Sequence, residues 1–129
     1  MFEERLEMSA KLRQLGNERF KRGKMESAAK AYQRALHHVD FDELQVNFEL
    51  SEKHRVELKE AKLPILLNLC QSLVRIGHAN GDTSHLVQAK ERATDAIELD
   101  AKCTKAWFWR GKAKIDSGDL EGGGKDLDE

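Results

Sequence analysis

A single proline, Pro64, stands in 129 residues. With so little to interrupt backbone hydrogen bonding, most of the chain is free to be helical. Cysteine is almost as scarce. Cys70 falls in an apolar stripe and Cys103 in a polar turn, a usage that fits free thiols in a reducing compartment better than a disulfide framework. Neither sign of charge dominates: 22 basic residues stand against 23 acidic ones, a formal net charge of −1. A general nucleic-acid or membrane surface needs a basic excess, so neither partner is expected. No apolar run approaches the ~20 residues that cross a bilayer, and no signal-peptide pattern follows Met1. A cytoplasmic protein is the expectation.

Chemistry-bearing motifs are lacking too. The run Gly122–Gly124 has neither a strand before it nor a Lys–Ser pair after it, so it is no phosphate loop. His37 and His38 diverge on a helix, and His54, His78 and His85 are scattered without ligand spacing. Cys70 has no neighbour that would activate it. The sequence therefore predicts no metal, no cofactor and no catalytic residue, and hence no enzyme in this region.

What is present is amphipathic helix. Charged residues make up 35% and apolar residues 40%, the mix of helices with one solvated face. The first helix is predicted from about Glu3 to Arg22, turning Leu6, Leu12, Leu15 and Phe20 inwards, with Gly23 ending it. A second begins near Glu26 and carries the cleanest stripe, Ala28, Ala31, Tyr32, Ala35, Leu36 and Val39. The stretch 40–51 reads as a connection. A third helix is predicted from about Glu52 to Ile76, with Leu63, Leu66, Leu67, Cys70, Leu73 and Val74 inwards and Pro64 as a kink or second start. Gly77 to Ser84 is a loop by composition. Helices four, five and six follow at about His85–Leu99, Thr104–Ser117 and from Leu120, the last weakened by its three glycines.

Small residues recur at fixed intervals. Gly16 precedes Ala28 by twelve positions, as Gly111 precedes Gly123, and Ala28–Ala35 and Ala89–Ala96 are both seven apart. Such spacing lets two short antiparallel helices approach closely, in units that must stack to bury their apolar faces. This is the tetratricopeptide (TPR) pattern. It implies an all-α helix-turn-helix solenoid of three repeats: about 9–42, an insertion at about 43–60, about 61–103, and a partial third at about 104–129. Gly16, Cys70 and Gly111 are equivalent, 54 and 41 residues apart, so each interval exceeds the ~34-residue period by an insertion. A solenoid wants a polar capping helix at its end, so the chain reads as a fragment of a longer protein.

The first repeat, LRQLGNERFKRGKMESAAKAYQRALHHV, resembles the opening repeat of the immunophilin-type TPR co-chaperones. The later pairs open EAKLPILLNLCQSLVRIG and TKAWFWRGKAKIDSGDLEGG. The insertion before AKLPILLNL is similar to that of the FK506-binding-protein and aryl-hydrocarbon-receptor-interacting-protein families, and the segment itself most resembles the germline FK506-binding-protein branch. The resemblance implies a groove that grips the acidic EEVD tail of heat-shock protein 90 or 70. Five positions would do so in such proteins. Here Arg13 takes the place of the usual first lysine, Asn17 and Asn68 match the two asparagines, and Lys105 matches the lysine of the third repeat. Trp109 stands where the family has arginine. An isomerase-like domain upstream is what the resemblance implies for the parent protein.

Each of these side chains also has an ordinary structural reading: an asparagine tied to backbone, a cation in solvent. Trp107 is expected in the core, and Trp109 in a groove or partner contact. The rival reading is an adaptor with a decayed clamp that binds another partner through its aromatic face, as in germline small-RNA (piRNA) effector assembly. Self-association through the open last-helix surface is the third.

Overall fold

The computed structural model describes residues 2–42, 46 and 50–118, and within them the chain is all helix and turn. Five helices follow one another: α1 (Phe2–Lys21), α2 (Met25–His38), α3 (Glu52–Asn80), α4 (Thr83–Leu99) and α5 (Thr104–Asp116). The expected all-α helix pairs are there. α1 packs on α2 and α3 on α4, α2 meets α3, and α5 closes against α4 and α3. The expected sixth helix, with Gly122–Gly124, lies outside the described residues, as does most of the insertion before residue 50.

The turns explain the pairing. Gly23 takes a positive φ of 77°, while the Gly23 and Lys24 amides donate to the Phe20 and Arg19 carbonyls at 3.0 and 2.9 Å. This left-handed cap reverses the chain so that α2 folds back on α1. Between α3 and α4 the turn is only Gly81 and Asp82. Gly81 has a φ of 63°, and the Asp82 amide donates to the Gly77 carbonyl at 2.9 Å. Asp82 then caps α4, its carboxylate accepting from the Ser84 amide at 2.8 Å and meeting His85 Nδ1 at 2.7 Å. These contacts hold the Asp82 carboxyl below the ordinary aspartate range, the His85 bond first and the Ser84 amide next.

Gly77 to Ser84 is therefore not the loop its composition predicts, and α3 runs past Ile76 to Asn80. Gly77 is buried within the helix because a Cβ there would lie 2.8 Å from Leu86 Cγ. Its smallness serves close helix packing, not a break. Pro64 likewise sits inside one unbroken 29-residue helix. The core follows the predicted stripes in part. Leu12, Ala28, Ala31, Tyr32, Ala35, Val39, Leu66, Cys70, Leu73 and Val74 are buried, with Ala89 and Ala96, whereas Leu6, Leu15, Phe20, Leu36, Leu63 and Leu67 are only half-buried. Alanines at these seams bring helix axes close, as the small-residue spacing requires.

Trp107 departs from expectation. It lies half-buried on the outer side of α5, donating Nε1–H to the Ala101 carbonyl at 2.8 Å beneath the Arg110 guanidinium, 4.6 Å from its ring. An indole needs a partner for its N–H, and the Ala101 turn supplies one only at the surface. Ala106 takes the core place beside it.

Candidate functional site

α1, α3 and α5 lie side by side, and the residues singled out in the sequence fall along them. Arg13 and Asn17 are four apart on α1, and Lys105 and Trp109 four apart on α5, so each pair shares a helix face. On α3, Asn68 and Arg75 are seven apart, again one face.

Tyr32 joins two of these positions. Its ring is wedged against the backbone of α1 at Gly16, where a Cβ would sit 2.6 Å from it. The hydroxyl emerges beside Asn17 and donates to Asn17 Oδ1 at 2.6 Å. Asn68 Nδ2 donates to that same oxygen at 3.1 Å and to the Tyr32 hydroxyl at 3.3 Å. The two asparagines are thus bonded to each other across α1 and α3, not to backbone. Burial pushes the Tyr32 phenol above its ordinary pKa, although the Asn68 bond and the Arg13 charge oppose the shift. It stays a protonated donor throughout the working range.

Arg13, one turn before Asn17, is half-buried, and its Nε is enclosed with no hydrogen-bond partner. A guanidinium N–H withdrawn from water and left unpaired is costly, and as the side chain stands it is closed to a ligand. Lys105 stands exposed in the first turn of α5, and no described contact ties it to Asn17 or Asn68.

Trp109 is half-buried against the main core and meets the exposed Phe108 edge-on at 5.2 Å. It also lines a cavity of about 460 Å³ with Met25, Val74, Ala79, Arg75 and Lys112. The Asp116 carboxylate closes one side, held by Lys112 at 3.6 Å. Trp109 is therefore both a core contact and a lining residue of the face that carries Lys105. The tyrosine at the junction was not singled out as functional in the sequence, because on a helical stripe its hydroxyl is invisible beside its ring.

Cys70 is buried, donates to the Ala89 carbonyl at 3.3 Å, and is pushed up to about 12 by burial, which removes it as a nucleophile at neutral pH. Among the described residues no His, Cys, Asp or Glu group has metal-site geometry. No described helix is long and apolar enough to cross a membrane.

No protein-family model matches the chain. Among solved structures, it is similar to the C-terminal TPR-containing domain of an FK506-binding protein of Plasmodium falciparum. That match has a TM-score of 0.78 and 23% identity over 98% of this chain and 77% of the other. It is also similar to a multi-domain immunophilin of Arabidopsis thaliana, with a TM-score of 0.82 and 26% identity over 99% of this chain. The chain spans 46% of that immunophilin. The fold is thus that of the TPR-containing domains of immunophilins, as the first-repeat motif implies. Neither match singles out the germline branch.

Proposed function

We propose that this domain is the protein-interaction module of a co-chaperone, and that the face shared by α1, α3 and α5 binds the acidic C-terminal EEVD tail of heat-shock protein 90, or of heat-shock protein 70. The observation that carries the reading is the Asn17–Tyr32–Asn68 junction, with the half-buried Arg13 one turn away on α1. The junction brings both asparagine side chains together, and the half-buried Arg13 side chain one turn away supplies charge. A terminal aspartate offers a backbone and a side-chain carboxylate. Charge-assisted hydrogen bonds to both read the chain end and the residue type together. Lys105, exposed in the first turn of α5, adds a cation for the second carboxylate.

The test is fluorescence anisotropy with a labelled acidic peptide ending in EEVD, for the native chain and for Lys105→Ala. Loss of the cation is expected to weaken binding at least fivefold, as one charge-assisted contact disappears. Affinity within twofold of the parent would contradict Lys105 as part of the grip.

One observation favours a second reading. Trp109, where a charged fork would complete the grip, instead lines a largely apolar cavity with Met25 and Val74. On that reading the domain is an adaptor, anchoring a bulky apolar side chain of another partner, as in germline small-RNA effector assembly.

A further inference from the structure

We infer that Tyr32 is the positioning residue of this groove, its hydroxyl tying the Asn17 and Asn68 amides into one hydrogen-bonded unit. The inference rests on the acidic-tail reading above and adds to it a residue that never touches the peptide.

An amide oxygen has two acceptor sites and an amide nitrogen two hydrogens. Asn17 Oδ1 has both sites filled, by the Tyr32 hydroxyl at 2.6 Å and by Asn68 Nδ2 at 3.1 Å. Both hydrogens of Asn17 Nδ2 are left for an acceptor outside the junction. A flipped Asn17 amide would set its NH2 group against the NH2 of Asn68, donor facing donor. A hydroxyl both donates and accepts, so it ties the two amides together: only a concerted flip of both keeps all three bonds.

The hydroxyl cannot wander. Tyr32 is fully buried, and its ring is pressed on Gly16 so closely that no side chain fits between them. The rigid ring therefore carries the hydroxyl to one point between α1 and α3. Arg13 lies a turn away with its unpaired Nε. The junction so tied offers the N–H groups of Asn17 to a carboxylate. Preorganised donors of this kind need no rearrangement when the anion arrives.

Tyr32→Phe removes the hydroxyl and keeps the ring. With the unlabelled EEVD peptide as probe, titrated by calorimetry, the variant is expected to bind about five- to tenfold more weakly than the native chain. Its preference for the free-acid peptide over the same peptide amidated at the C-terminus should shrink by the same factor. Because Tyr32 acts through the joined amides, the double variant Tyr32→Phe/Asn17→Ala should lose less than the product of the two single effects. Asn17→Asp keeps the acceptor for Tyr32 but has no N–H, and should lose at least as much as Asn17→Ala. A readout independent of binding is the 15N side-chain amide spectrum. Tyr32→Phe should move the Asn17 and Asn68 resonances while leaving the dispersed backbone spectrum of a folded domain.

Tyr32→Phe binding within twofold of the native chain, with Asn17→Ala still weakened, would overturn the role of Tyr32 alone. A double variant that loses the full product of the two single effects would do the same. Asn17→Ala binding as tightly as the native chain would instead remove the groove reading, and the role of Tyr32 with it.

Discussion

Gly16 and Tyr32 meet across the seam between α1 and α2 so closely that a Cβ at position 16 would lie 2.6 Å from the tyrosine ring. The contact does two things at once. It sets the separation of the first helix pair, and it delivers the Tyr32 hydroxyl to Asn17.

Gly16→Ala tests the first. Replacing glycine by alanine inside a helix favours folding by about 1 kcal/mol through backbone entropy. Forcing a methyl group into a buried ring costs about 1–3 kcal/mol. The ring is fully buried and has nowhere to turn, so the steric cost wins. Urea denaturation should show Gly16→Ala less stable than the parent by about 1 kcal/mol. A variant more stable than the parent would mean the seam can open without penalty.

Asp82 gives a pH dependence of known sign. Its folded-state pKa is depressed, chiefly by the His85 bond and then by the Ser84 amide. A depressed carboxyl contributes stability that is present above its unfolded pKa, near 3.9, and is lost as pH falls through the lower folded value. Asp82→Asn should therefore cost stability at pH 6 and lose that cost progressively below about pH 4. The half-buried Asp95 shifts the other way, since desolvation raises it, so the comparison must be parent against variant at each pH. A stability difference that is constant from pH 6 to pH 2 would show that the amide caps α4 as well as the carboxylate does.

How far the fold was legible depended on what each residue type reveals. Ala28, Ala35, Ala89 and Ala96 sit at helical seams, as their seven-residue spacing requires, because only small side chains let helices touch there. Gly77 misled for the opposite reason. Near Asn80 and Gly81 it reads as a loop glycine, yet the neighbour that demands it, Leu86, lies on the next helix and no local pattern announces it. Trp107 misled because an apolar pattern scores its ring and ignores its N–H, which only the Ala101 carbonyl satisfies. At the candidate site, Arg13, Asn17, Asn68 and Lys105 are proposed through the family resemblance alone, and of these the structure joins Asn17 to Asn68. The bond from Tyr32 to Asn17 depends on two helices meeting and could not be read from spacing.

Trp109→Arg separates the two functional readings. If the groove is a clamp short of one cation, the new guanidinium restores a charge-assisted pair of about 1.5–3 kcal/mol, and the EEVD peptide should bind about tenfold or more tightly. The gain is set against lost packing, because Trp109 also contacts the core. Binding is therefore measured well below the melting temperature of the variant. If Trp109 anchors another partner, tail binding stays poor and the native interaction is abolished in a pull-down with both versions. Recovery of every partner by both versions would return Trp109 to a purely structural role.

The central claim is that the groove reads a chain end, and calorimetry with two peptides addresses it directly. One ends in EEVD as the free acid, the other is identical but amidated at its C-terminus. Amidation removes a single carboxylate and leaves the acidic side chains in place. The proposed grip by Arg13, Asn17 and Asn68 predicts that the free acid binds and that the amide binds at least tenfold more weakly, the loss of one charge-assisted contact. Equal affinity for the two peptides, or no binding of either, would contradict it.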